Sequence, residues 1–334
     1  MHGYPTFGFM ELKHQTMKAS LFLLIAVTSI FLASCTKDYH DTTSQVPPGG
    51  TIPPAEHKYT SMNDFFSKNQ IPSQAFTVDA ATGGTITAAQ GSVIYIPSNA
   101  FVTQQGNAVT GNVSIEFKEV YKKSDMLLGD KPTILDNGLP LKSGGEFFIR
   151  ATSNGTAVQL APGYSISVQQ PLNGFPLDMN MTAFTALTDT FRWLPAQNAA
   201  MSDSGGYIFS LFTFGAPVDS GSWCNSDNST FFAAYPQTVL TLHENDDPTA
   251  YGTQVFLLFT DLNSMVHVYA DSAFNFPYYY APQGLNCTMV AVGVKDSVLY
   301  SSFVPVTIGT NQTVNFSLSQ TSDGQFKAAV DLLN

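Results

Sequence analysis

The chain has 334 residues, with 14 Lys and Arg against 25 Asp and Glu and a formal net charge of −11. That balance, without a basic patch, argues against nucleic acid and anionic lipid headgroups as partners, because both are held by clustered cations. Charged residues are only 12% of the total, while Gly, Ser, Thr, Asn, Gln and aromatics are plentiful, as in exported β-rich proteins that stay soluble through neutral polar groups.

Near the start, Lys18 supplies a positive charge, residues 19–32 form an uncharged apolar run, and Leu32, Ala33, Ser34 and Cys35 close it. The run is too short to span a bilayer, and small residues before a cut are the outline of a secretory signal. These features resemble the signal and lipobox of Gram-negative lipoproteins. The resemblance implies a signal peptide over 1–34, cleavage before Cys35, and fatty acid (palmitate) on that cysteine. It also implies anchoring by the N-terminal lipid at the outer membrane. Thr36 stands where an inner-membrane retention signal has Asp, and Lys37 and Asp38 resemble charged export signals. Met17 is a more natural start for such a signal than Met1.

Residues 35–70 are read as the lipidated cysteine and a flexible tether, rich in Thr, Ser, Pro and Gly, with one helical turn near 61–66. A first domain over 71–200 shows strand signals throughout. Val113, Ile115 and Phe117 alternate with polar residues, as do Phe147 with Ile149 and Ile166 with Val168, the period of half-buried strands. Turn residues at 104–107, 143–145 and 161–163 separate them, which predicts a β-sandwich. Gly83 and Gly84, then Val93, Ile94, Tyr95, Ile96, Pro97 and Ala100, resemble the opening of the ZU-five domain of ankyrins and netrin receptors, and the same arrangement with a later Leu141 to Phe147 segment containing Gly144 and Gly145 resembles bacterial lipoproteins of unknown activity. The resemblance implies fold and transfers little function, and the His-Phe-Ser self-cleavage motif of some relatives is missing. Phe191, Trp193 and Leu194 are expected to plug the junction between domains.

The second domain, 201–334, is expected to open with the aromatic strand 207–214 and to continue through strands near 238–242, 253–260, 286–294, 298–304 and 312–318. Residues 294–298 form a tight hairpin. This pattern predicts an immunoglobulin-like β-sandwich. Ser322 and Gln325 form a capping box ahead of Phe326, Val330 and Leu333 at helical spacing, so a short C-terminal helix follows. The fold class is therefore all-β, two β-sandwiches after a signal and tether. With the lipid at the N-terminus, the second domain is expected to be the membrane-distal one.

Chemistry-bearing residues are few. Two cysteines remain beyond Cys35; Cys224 and Cys287 pair as a disulfide in one reading and stay as buried thiols in the other. His243 and Glu244 begin like a zinc-binding His-Glu-x-x-His motif, but Asp247 takes the last place and Pro248 follows, so two ligands do not fall one helical turn apart. A solvated turn is the alternative. His243 and His267 are the histidines left for acid–base work, and neither accompanies a nucleophile signature. No catalytic residue, metal or cofactor is expected. The stretch 274–282 gathers Phe274, Phe276, Tyr278, Tyr279 and Tyr280, either a recognition loop for an envelope protein or glycan, or rings that cover the sandwich end. Asp41-Thr42-Thr43, Asp271-Ser272-Ala273 and Asp296-Ser297-Val298 resemble bacterial O-glycosylation sites. Two functions follow: a non-catalytic lipid-anchored envelope protein that presents sandwiches for binding or structural attachment, or a glycan-binding or glycan-processing accessory module at the cell surface.

Overall fold

The computed structural model describes residues 56–186, 192–203, 206–215 and 221–334. The signal, Cys35, His40, residues 41–43 and the tether as far as residue 55 lie outside these residues, as does Phe191. Strand pairing divides the described chain into two β-sandwiches. In the first, one sheet runs in the order Gln74–Asp79, Asn112–Val120, Lys142–Ser153, Ser222–Asn228, Thr182–Ala186, Leu194–Pro195. The facing sheet runs Ala199–Ser202, Tyr207–Leu211, Ile166–Gln170, Val93–Ile96, Gly84–Thr87. Alternation along the strands turns Val113, Ile115, Phe117, Phe147, Ile149, Ile166 and Val168 into the core between them. There Phe147 stacks on Phe117 at 5.5 Å and meets Phe209 edge-on at 5.1 Å.

The changeover expected near residue 200 falls after Asn228 instead. Tyr207–Leu211 pairs with Ile166–Gln170, and Ser222–Asn228 occupies the middle of the first sheet beside Lys142–Ser153. Period-two patterning reveals that a strand has one packed face; it does not reveal which sheet receives that face.

The second sandwich faces a three-stranded sheet, Phe276–Pro282, Gln237–Glu244, Gln312–Phe316, with a five-stranded one, Met265–Val268, Gln254–Phe259, Asn286–Lys295, Val298–Thr307, Ser319–Gln320. Gln312–Phe316 runs parallel to Gln237–Glu244. The expected hairpin closes with Lys295 paired to Val298, and Asp296 and Ser297 both take positive φ (51° and 63°), the requirement of a two-residue type I′ turn.

Among the described residues there are four α-helices: α1 (Met62–Lys68), α2 (Lys123–Leu128), α3 (Pro248–Tyr251) and α4 (Asp323–Asp331). The capping box of α4 is present, Ser322 and Gln325 each bonding the other's backbone. Helix α4 and α1 lie on the outer face of the five-stranded sheet, so Gln254–Phe259 is buried on both sides: Val255, Leu257 and Phe259 toward the sandwich core, Phe256 and Leu258 toward the helices. Tyr59, Met62, Phe65 and Ile71 belong to this helical layer with Phe326 and Val330. The tether expected to reach residue 70 is thus folded from Tyr59 onward, because its aromatic residues are buried here. The Tyr59 hydroxyl donates to Asp323, and Lys58 Nζ donates to the same carboxylate at 2.6 Å. The described chain therefore enters the fold against the second sandwich, where the tether was expected to lead straight into the first.

The two sandwiches are also interlocked. The connection from Asn112–Val120 to Lys142–Ser153, residues 121–141, crosses to the second sandwich, placing Met126 and Leu127 in the helical layer and Ile134 in the second core. Thr133 N donates to Met265 O at 2.9 Å, Lys123 Nζ to Phe259 O at 2.8 Å, and Ser143 N to Asn263 O at 2.9 Å. Trp193, buried as expected at the junction, donates Nε1 to Pro132 O at 3.0 Å.

The disulfide alternative is not realised. Cys224 points into the first core and Cys287 into the second, and both are free. Burial raises the Cys224 thiol and pushes Cys287 up to about 12, so both stay protonated and inert.

Candidate recognition groove

The aromatic stretch is mostly a strand. Phe276–Pro282 pairs with Gln237–Glu244 through Thr238 opposite Ala281 and Leu240 opposite Tyr278, with a register shift between. Two residues, Tyr279 and Tyr280, thus oppose Val239 alone. Strict alternation would send one of these rings into the core, whereas a bulge re-aims side chains. Here both face solvent, 61% and 39% exposed, while Phe276 and Tyr278 are core residues. Phe274, half exposed, sits in the turn before the strand with φ 58°. Asp271 holds that turn by accepting from the Ala273 and Asn275 backbone N–H groups at 2.8 and 3.0 Å.

Tyr279 and Tyr280 line a groove of about 300 Å³ with Ile134, Arg192, Tyr269 and Asp271. Tyr269 follows Met265–Val268, is 51% exposed, and stacks on His267 at 4.3 Å with an interplanar angle of 27°. The Arg192 guanidinium lies over the Tyr269 ring at 5.8 Å and donates to Leu135 O at 3.5 Å. His267 is fixed from behind: Nδ1 meets Asp130 Oδ1 at 2.8 Å, Nε2 meets Gln254 Oε1 at 3.0 Å, and its ring lies 4.4 Å from Phe256. Gly138, at φ 88°, lets the chain pass close to Tyr280, whose ring would lie 3.2 Å from a Cβ there. Behind the surface, Tyr278 Oη donates to Gly138 O at 3.4 Å, and burial raises its pKa well above the usual phenol.

The groove thus offers three tyrosine faces, two on the strand Phe276–Pro282 and one just after Met265–Val268 of the other sheet, flanked by a cation and a carboxylate. Such faces take up flat apolar surfaces, and the polar flank fixes orientation. Of the five aromatic residues singled out in the sequence, Tyr278, Tyr279 and Tyr280 line the groove, Phe276 packs the core and Phe274 stands apart. Tyr269 and Arg192 went unnoticed in the sequence. An exposed tyrosine directly before the Ala270-Asp271 turn was the available signal for Tyr269. Arg192 offered none, because only the fold brings it there.

The remaining clusters sit elsewhere. His243 Nδ1 meets Asn275 Oδ1 at 2.8 Å, Glu244 is buried at the strand end, and Asp247 caps α3 by accepting from Thr249 N at 3.0 Å. Among the described residues no three His, Cys, Asp or Glu side chains converge as a metal-binding group. No helix among them is long and apolar enough to cross a membrane.

The strand layers and the groove define an all-β, double-sandwich protein with an aromatic surface cleft. No family model and no curated protein matches the chain. Among solved structures, the crystal structure of the major pilin subunit of Bacillus cereus is similar over 75% of this chain and 100% of that one, at 11% identity and a TM-score of 0.19. Those values are too low to transfer fold or function.

Proposed function

We propose that this is a non-catalytic, lipid-anchored protein of the outer membrane that presents its β-sandwiches for binding in the cell envelope. The reading starts from the lipobox ending at Cys35. The observation that carries the binding role is the bulge that turns Tyr279 and Tyr280 outward together beside Tyr269. Exposing three large aromatic faces at one rigid cleft has no value for folding, and such faces are what binding hot spots are made of. Stacking tyrosines flanked by Arg192 and Asp271 favour an envelope glycan as the ligand, the role of a glycan-binding accessory module. We further read the first sandwich as ZU-five-like, on Gly83, Gly84 and the Val93–Ile96 strand ended by Pro97.

Two measurements test this. Tyr279→Ala and Tyr280→Ala should each weaken binding to envelope glycans by about 2 kcal/mol, roughly thirtyfold, with little change in melting temperature. Phe276→Ala, by contrast, should cost about 3 to 5 kcal/mol of folding stability. If both exposed-tyrosine variants melt as low as the Phe276 variant, the rings are packing and the groove is not a binding site. Separately, Cys35→Ser should release the protein from the membrane fraction, and a variant that still partitions into detergent ends the anchoring proposal.

A further inference from the structure

A protein that buries a carboxylate must give it donors or a counter-charge. Glu119, buried in the first sandwich, has four donors: Gln74 Nε2 at 2.9 Å, Gln90 N at 2.7 Å, Ser92 N at 3.0 Å and Ser92 Oγ at 2.7 Å. Glu146 and Asp227 are both 0% exposed, and none of their four carboxylate oxygens has a hydrogen-bond partner. Their placement follows from the ladder. Glu146 lies opposite Asn225 and Asp227 opposite Ser143, on the two sides of a register shift at Ser226. Phe147 and Cys224 point into the first core, so Glu146 and Asn225 project from the outer face of the sheet. Ser226 turns inward to Gln170, which leaves Asp227 on the outer face with Ser143. The Ser143 hydroxyl donates to Asn225 Oδ1 at 2.8 Å, joining the two pairs.

That outer face is not open to solvent. The second sandwich covers it, with Asn263 O accepting from Ser143 N at 2.9 Å. Asn263 is itself buried, and its Oδ1 is the fifth unpartnered oxygen here. Burial pushes Glu146 well above the carboxylate range, the Asp227 charge pushes it further, and Lys131 pulls it back. Burial likewise raises Asp227, with Ser143 opposing. Lys131 Nζ donates to Gly129 O at 2.8 Å and lies over the Trp223 ring at 5.2 Å.

We infer that Glu146, Asp227 and Asn263 Oδ1 form a buried site for a divalent, oxygen-seeking cation of the calcium class at the seam between the sandwiches. The unpartnered acceptors are all oxygens, two carboxylates capable of bidentate ligation and one amide, the set that suits calcium with water completing its six to eight ligands, and Asn225 Nδ2 is the one unpartnered nitrogen beside them. Sulfur and imidazole, which draw zinc and copper, take no part. The rival is a pair of carboxyls held neutral by protons.

The test uses the full chain in detergent, stripped with EDTA and titrated with calcium chloride, with thermal unfolding as one readout. Terbium luminescence is the other, because Trp223 projects from the same outer face two residues from Asn225 and can sensitise the ion. At calcium a hundredfold above its dissociation constant the melting temperature should rise by about 5 °C, and calcium should displace one terbium. The double variant Glu146→Gln with Asp227→Asn should lose both responses, while Glu244→Gln keeps them. A wild-type protein that shows neither response, or a double variant that keeps both, overturns the inference. So does a seam stabilised only by lowering the pH. If the double variant does not fold, wild-type terbium emission displaced by calcium supports the site, and its absence overturns it.

Discussion

Glu244 ends the strand Gln237–Glu244 with its carboxylate buried and unpartnered. Burial first, then the charges of Asp246 and Asp247, push it up from 4.5 to about 7. A carboxyl whose folded pKa is raised favours the native state most below its unfolded pKa, and that contribution is lost as pH rises through the folded value. The window therefore runs from about 4.5 to about 7, the two values that bound the shift. Glu244→Gln should be neutral at pH 4 and stabilising at pH 8, by on the order of 2 kcal/mol. Melting curves at the two pH values check this, and equal shifts at both would show that charge is not the cause. Asp178 runs the other way. Against the upward pull of burial, hydrogen bonds from Lys142 at 2.7 Å, Asn228 at 3.0 Å and Asn180 N at 3.0 Å hold it at about 2. Neither environment could be read in the chain. Glu244 stood in what looked like a solvated acidic turn, and Lys142 and Asp178 are neighbours only through folding.

Elements were legible wherever local chemistry decides them. The period of Val113, Ile115 and Phe117, the capping box at Ser322 and the hairpin at 296–297 each use signals within a few residues. What failed was membership. Strand 207–211 carries the pattern of a packed strand, and nothing in it selects the first sandwich over the second; 222–228, mostly Ser, Asn and Asp, carries no such pattern, so the strand at the middle of the first sheet was not legible at all. The groove was half legible for the same reason, since a run of aromatics announces itself while the bulge that sorts Tyr278 from Tyr279 and Tyr280 depends on the partner strand. Glu146 and Asp227 read as ordinary outward-facing polar positions, because the sequence does not say that a second sandwich covers that face. The hairpin supplies a test at this scale. Ser297 holds φ 63°, a conformation that costs an L-residue about 1 kcal/mol and glycine almost nothing. Ser297→Gly should therefore raise stability by about 0.5 to 1 kcal/mol in chemical denaturation, and a loss would mean that the serine side chain supports the turn.

Across the whole molecule the sandwiches share more than a linker. Residues 121–141 leave the first sandwich, contribute Met126, Leu127 and Ile134 to the second, and return. Residues 59–71 precede the first sandwich in sequence yet pack with α4 on the far side of the second, where Phe65 meets Phe326 at 5.8 Å. Unfolding either sandwich thus strips apolar cover from the other, so the two should melt as one cooperative unit. Phe65 is 0% exposed, and cutting a buried phenylalanine to alanine costs about 3 to 5 kcal/mol. If the layers are coupled, Phe65→Ala lowers a single calorimetric transition as a whole, and hydrogen exchange quickens in Asn112–Val120 of the first sandwich as well as in Gln254–Phe259 beneath the ring. Independent domains would instead give two transitions, with only the second moved and exchange in Asn112–Val120 unchanged. The same coupling bears on the proposed anchor, because it makes the entry point at Tyr59 a fixed part of the second sandwich. Pull on the N-terminal end would then load Phe65 and the Tyr59–Asp323 hydrogen bond before either sandwich core, and Phe65→Ala should lower the unfolding force measured from the N-terminus more than a core substitution of equal equilibrium cost, such as Phe209→Ala.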